Sequence, residues 1–172
     1  MASMPMMSTR LANLLGFCAC VGLVAFALFA PYVLRLEPCP LCIFQRVGII
    51  VIGVLFALAA IQGPKRWGRT FYAIAIALAA LATIGVSLRH LYIQSLPAGS
   101  VASCGASLDV MLKFFSLNEV IAKVLTGSEE CAKVDWRLLG LSMPAWVLIA
   151  ALSLGGYAVW ANLRKPAPVL RF

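Results

Sequence analysis

Four of the six cysteines stand where thiol chemistry is possible. Cys39 and Cys42 form the run Cys39-Pro40-Leu41-Cys42, and Cys104 and Cys131 follow later in a polar stretch. A Cys-x-x-Cys pair closes too small a ring to be useful as a staple. It stands where an apolar segment begins, so Cys42 falls near a helix N-terminus, whose positive partial charge stabilises a thiolate, the form that attacks disulfides and electrophiles. Arg46 follows Cys42 by four residues and shares its helix face. Its guanidinium can stabilise that thiolate and donate to an acceptor oxygen, although an arginine at the edge of an apolar span also serves as an interfacial anchor. His90, the only histidine, stands beside Arg89 and Tyr92, where contact with a lipid headgroup is the plainer reading. Four cysteines also raise a tetrahedral zinc site, but Cys104 and Cys131 lack the close spacing of zinc knuckles, and no metal is expected. The four permit three disulfide pairings; two pairs, each within one loop, is the simplest, and sequence does not choose among them. Cys18 and Cys20 lie within an apolar run and read as small packing hydrophobes.

The elements that must carry these residues are membrane helices. Of 172 residues, 63% are hydrophobic and 12% charged, against roughly 45–50% and 25% for a soluble domain. A bilayer core needs about 20 apolar residues per helix, and four segments meet that need, at about 11–34, 43–61, 70–88 and 142–162. The expected architecture is all-α: a polytopic membrane protein, one integral domain over 1–172, built as a four-transmembrane-helix bundle. In the connection Gly63-Pro64-Lys65-Arg66-Trp67-Gly68-Arg69, Gly-Pro ends a helix and the three cations are expected to forbid burial. Arg10, this loop and the Arg164/Lys165/Arg171 tail agree on a cytoplasmic side by the clustering of Lys and Arg near span ends. Glu37, Asp109, Glu119, Glu129, Glu130 and Asp135 all fall on the other side, in loops at about 35–42 and 89–141, together with the four cysteines. That side is exterior, where disulfides persist. The net charge of +8 is concentrated on the inner side and suits anionic lipid headgroups; no aromatic-interleaved basic patch supports nucleic-acid binding. The same clustering places both termini inside, and the first apolar run is too long for a typical signal-peptide h-region, so cleavage is not expected.

Between Cys104 and Cys131, Asp109, Lys113, Ser116, Glu119 and Lys123 recur as one stripe of a helix. The remainder is too apolar for water and too interrupted to span, so a short amphipathic helix is expected on the membrane surface, with Phe114, Phe115, Leu117 and Ile121 toward lipid. Ser116-Leu117-Asn118-Glu119 fits a capping box, which would divide the stretch at Ser116.

Taken together, Glu37-Pro38-Cys39-Pro40-Leu41-Cys42-Ile43-Phe44-Gln45-Arg46, Leu88-Arg89-His90 and Trp136-Arg137-Leu138-Leu139-Gly140-Leu141-Ser142-Met143-Pro144 resemble the DsbB family of disulfide bond formation proteins over nearly the whole chain. The resemblance implies a quinone-linked thiol oxidase of the bacterial inner membrane, with its redox cysteines periplasmic. Its donor would be a DsbA-like periplasmic thioredoxin-fold oxidase and its acceptor the membrane quinone pool, ubiquinone or menaquinone. It further implies that Cys39 and Cys42 are the quinone-coupled pair, that Cys104 and Cys131 face the donor, and that Arg46, His90 and Met143 lie at the quinone. Pro40 and the run Gly99-Ser100-Val101-Ala102 differ from the best-known member. Rival readings are the same scaffold serving another dithiol donor or running as a reductase, and a membrane metal-binding or transport protein.

Overall fold

The computed structural model describes residues 8–34, 39–97, 113, 116–127, 129–134 and 136–164. In chain order they form α1 (Thr9–Leu34), α2 (Pro40–Gln62), α3 (Arg66–Gln94), α4 (Leu117–Thr126), α5 (Glu129–Ala132), the short strands β1 (Arg137–Leu138) and β2 (Leu141–Ser142), and α6 (Met143–Leu163). Helices α1, α2, α3 and α6 are each long and apolar enough to cross a bilayer, as expected. They close a bundle in which α1 packs along α2, α2 on α3, α3 along α6, and α6 back on α1.

Local sequence explains where these helices start and stop. Pro40 occupies the first turn of α2, where its missing N–H costs nothing and its fixed φ is already helical. This starts the helix three residues before the expected boundary. At the other end Gly63 adopts a left-handed φ of 54° and donates its N–H to the Ala59 carbonyl, a C-cap that glycine makes without strain. The glycine at position 48 meets a different need. A Cβ there would run into the Thr83 side chain, so its absence lets α2 and α3 approach closely. The core between the spans comprises Cys20, Ile49, Ile52, Phe56, Ile76, Ala80, Leu154 and Ala158. Cys20 is thus a packing residue, as its apolar run implies, while Leu78, Leu81 and Leu152 face outward, where lipid would cover them.

Burial is not excluded throughout the basic connection between α2 and α3. Lys65 and Arg66 are exposed, but Arg69 is only 8% exposed. The second helix turn carries it inward, where Nη2 donates to the Arg164 carbonyl, one of the orphan acceptors at the end of α6. Arg164 in turn lies over the Trp160 ring and donates to the Ser8 carbonyl. Asn13 and Asn162 exchange amide hydrogen bonds of 3.1 Å nearby. This basic end is therefore tied by polar contacts that fasten α1, α3 and α6 together.

At the opposite end, Ser116 caps α4, its amide donating to the Glu119 carboxylate at 3.1 Å. Ile121 is exposed, as a lipid-facing position should be, but Val120 and Val124 are buried against Cys39, Leu41 and Ile93. Helix α4 is therefore docked on the bundle by one face rather than merely resting on a membrane. Lys113 is helical and exposed; Asp109, Phe114 and Phe115 lie outside the described residues, as do the side chains of Leu117 and Lys123. The hairpin is an element the all-α expectation lacks. Arg137 pairs with Ser142 and Leu138 with Leu141 across Leu139 and Gly140, whose φ values of 53° and 82° give a two-residue turn of the primed type.

Candidate active site

Cys39 is the N-cap of α2, with extended backbone and its Sγ accepting the Cys42 amide at 3.4 Å. An N-cap side chain meets the residue three positions on, so this spacing also brings Cys42 Sγ within 3.1 Å of Cys39 Sγ. The final turns of α3 bring His90 to the same place. It is 2% exposed, with Nε2 3.7 Å from Cys39 Sγ and 3.2 Å from the Cys131 carbonyl oxygen. Its Nδ1 is buried with no hydrogen-bond partner among the described residues. Cys131, on α5, is buried against Cys39 in the cluster formed by Leu41, Ile93, Val120 and Val124.

Three sulfurs therefore stand in series: Cys131 hydrogen-bonds Cys39, and Cys39 hydrogen-bonds Cys42. The Cys131 contact draws the Cys39 thiol toward lower pKa, but the Cys42 hydrogen bond, burial and the neighbouring Cys42 charge outweigh it. The balance pushes Cys39 from its ordinary 9.0 up to about 12. Cys39 thus holds its proton at neutral pH and is a weak nucleophile there.

On the other flank of Cys42 lies a cavity of about 320 Å³. Leu23 and Phe26 of α1, Cys42, Gln45 and Arg46 of α2, Trp136 and Leu138 beside or within the hairpin, and Met143 and Trp146 of α6 contribute to its wall. The hairpin is held over it at two points. Trp146 Nε1 donates to the Leu138 carbonyl at 3.2 Å, and the Trp136 ring lies 6.2 Å from that of Phe26. Gln45 is fixed by a relay: its amide donates to Ser87 Oγ at 3.0 Å and Ser87 donates to the Thr83 carbonyl at 2.9 Å.

Of the seven residues singled out by sequence, six fall into two neighbouring groups. Cys39, Cys42, Cys131 and His90 form the thiol cluster, and Cys42, Arg46 and Met143 border the cavity, so Cys42 belongs to both. His90 lies beside Cys39 and is not among the residues that line the cavity. Cys104 lies outside the described residues. Sequence reasoning passed over Gln45 and Trp146. A buried glutamine one turn after Cys42 in an apolar span was a usable signal; Trp146, three residues after Met143, was a weaker one.

Residues 9–161 match the family profile described as Disulfide bond formation protein DsbB. The chain belongs to the DsbB family. Relatives named Disulfide bond formation protein B agree along nearly their whole length. The protein of Nitrosococcus oceani is 44% identical over 154 residues, 90% of this chain and 91% of that one. That of Chromobacterium violaceum is 46% identical over 158 residues, 90% and 93% of the two chains. A third, from Methylococcus capsulatus, is 42% identical over 164 residues, covering 94% of this chain and all of its own. As a DsbB-family member this multi-pass membrane protein serves disulfide bond formation, and its sulfur series is the group suited to that task.

Proposed function

We propose that the chain is a protein-dithiol:quinone oxidoreductase of the bacterial inner membrane. In this reading it reoxidises a DsbA-like periplasmic oxidase and passes the electrons through two disulfides to ubiquinone or menaquinone. The observation that carries it is the position of Cys42, which ends the sulfur series and also borders the apolar cavity. A volume of about 320 Å³ falls within the roughly 300–1,000 Å³ usual for small-molecule sites. An apolar wall with one guanidinium suits a ring bearing carbonyl oxygens, and Arg46 offers planar donors to such an oxygen. When bound, a quinone supplies a two-electron, two-proton acceptor. That pull matters because DsbA-type oxidases, at about −120 mV, are hard for other thiol couples to reoxidise.

The resting state of this proposal has disulfides between Cys104 and Cys131 and between Cys39 and Cys42. A donor thiolate attacks Cys104 and releases Cys131 as a thiolate. Cys131, already against Cys39, attacks that sulfur and frees Cys42 at the cavity wall. The donor's second thiol then resolves the mixed disulfide, freeing Cys104 to recapture Cys131. The donor leaves oxidised, and two electrons remain on Cys39 and Cys42, whose disulfide re-forms as the acceptor is reduced at the cavity. Exposed Lys65 and Arg66 support a cytoplasmic basic end and a periplasmic thiol end.

The test is to mix purified protein with a reduced DsbA-type donor and either quinone while following donor thiols and quinone absorbance. Loss of one dithiol per quinone reduced is expected. Quinone reduction with a different dithiol protein only would reassign the donor, and none with any dithiol would end the reading.

A further inference from the structure

Cysteine spacing alone argues against zinc, but folding brings a ligand from another helix to the cysteine pair. The sulfurs of Cys39 and Cys42 and Nε2 of His90 all lie within 4.8 Å of one another. The two sulfurs are 3.1 Å apart, and Nε2 is 3.7 Å from the Cys39 sulfur. A tetrahedral zinc ion, with bonds of about 2.3 Å to sulfur and about 2.0 Å to nitrogen, holds two sulfurs about 3.8 Å apart and sulfur and nitrogen about 3.5 Å apart. The Cys39–His90 separation is within about 0.2 Å of its tetrahedral value, and the two sulfurs need to part by about 0.7 Å. The Cys131 thiol, hydrogen-bonded to Cys39, borders this group on the Cys39 side without belonging to it.

We propose that the reduced chain carries a soft-cation site of the zinc class formed by Cys39, Cys42 and His90 Nε2, and that its occupation halts turnover. Binding displaces thiol protons and transfers no electrons. A disulfide offers no thiolate, so oxidation of Cys39 and Cys42 abolishes the site, and the cation can only capture the chain while it holds electrons. The burial of Cys39, His90 and Cys131 keeps water from competing for the ion.

One feature separates this from a permanent structural centre. Metal-bound histidines usually donate their second ring N–H to a neighbour, and losing that neighbour weakens binding roughly ten- to hundredfold. His90 Nδ1 has no such partner among the described residues. The site is therefore reversible and opens to a chelator. The binding half of the proposal stands independently of the quinone reading; the inhibitory half rests on it.

The experiment uses the full chain in detergent, reduced anaerobically and freed of metal and reductant. Zinc is titrated in competition with a chromogenic chelator, and cobalt is added separately to record thiolate charge-transfer absorbance. One equivalent is expected to bind the reduced chain and none the oxidised one. His90→Ala and Cys42→Ser should each weaken binding roughly tenfold or more, and dithiol-to-quinone turnover should fall along the same titration and recover with chelator. Equal binding by both redox states, no binding at all, or undiminished affinity in His90→Ala would overturn the site. The redox comparison uses the unaltered chain, so it decides even if a variant fails to fold. A reduced chain that binds one zinc but never reduces quinone would keep the site and remove the enzyme reading. Zinc-insensitive quinone reduction would keep the enzyme reading and overturn the inhibitory half.

Discussion

Arg46 and Cys39 show how differently two polar groups one helix turn from Cys42 can act. Arg46 borders the cavity and is half-buried, so in the proposed function its donors would meet a quinone oxygen there. Losing a charge-assisted hydrogen bond costs about 1.5–3 kcal/mol, or roughly ten- to hundredfold in affinity. Arg46→Ala is expected to raise the quinone KM by that factor and Arg46→Lys by less, since lysine keeps the charge but lacks the fork. Single-turnover oxidation of the donor by the same variants should stay near normal; wild-type quinone titrations in both would return Arg46 to the role of headgroup anchor. Cys39 faces the other way and keeps its proton. Its pKa is raised, so the thiolate becomes abundant only above the ordinary value, toward about 12. Alkylation of Cys39 in the reduced chain, mapped by mass spectrometry, should therefore keep accelerating as pH passes 9.0, and a plateau there would contradict the buried, hydrogen-bonded environment. The cysteine pair and Arg46 were legible in sequence because helix spacing alone relates them. His90 was legible as a candidate but not in its surroundings, since its contacts depend on how α3 packs on α2 for Cys39 and on where α5 folds back for the Cys131 carbonyl.

Among the elements, α4 is the docked helix that leads the chain to Cys131. Its capping box at Ser116 could be read from sequence, and so could its exposed Ile121. The docking of Val120 and Val124 on Leu41 and Ile93 could not, because it depends on which part of the bundle lies beneath. A carboxylate introduced there has no partner and must leave the apolar surface. Val124→Asp is expected to lift α4, carry Cys131 away from Cys39, and sharply reduce the yield of a bond between them when mild oxidant is added to a chain lacking Cys42 and Cys104. An undiminished yield would show that α5 holds its place without α4. The hairpin escaped sequence reading for another reason. Its turn uses Leu139-Gly140, and a leucine at φ 53°, with 85% of its surface exposed, is not the Asn-Gly signal by which such turns are recognised.

At the scale of the whole molecule, the two ends of the bundle are fastened by different chemistry. The basic end is joined by amides, guanidinium groups and carbonyls from α1, α3 and α6, whereas the thiol end adds sulfur contacts and an apolar cluster to its hydrogen bonds. Charge clustering made the proposed orientation readable from sequence. It did not reveal that Arg69 serves as an internal tie, because a cation count takes no account of an unsatisfied helix-end carbonyl. Trp67 is 92% exposed between the two middle spans, which makes Trp67→Cys a clean topological probe. In intact spheroplasts a membrane-impermeant maleimide should miss that thiol yet reach the thiol end after reduction. Labelling at position 67 from outside would reverse the orientation and, with it, the periplasmic donor.

The sulfur that caps α2 also exchanges bonds during the proposed cycle, which turns the start of a membrane helix into a gauge of its own oxidation state. As a thiol, Cys39 receives the Cys42 amide at 3.4 Å; tied into a disulfide, it is a poorer acceptor and the amide loosens. The next amide, that of Ile43, is bound to the Cys39 carbonyl at 3.2 Å, which no thiol chemistry alters. Deuterium uptake at Cys42 should accordingly quicken on oxidation while Ile43 holds steady. Measured as a ratio, those two neighbouring protons would report the redox state of the protein without any added probe.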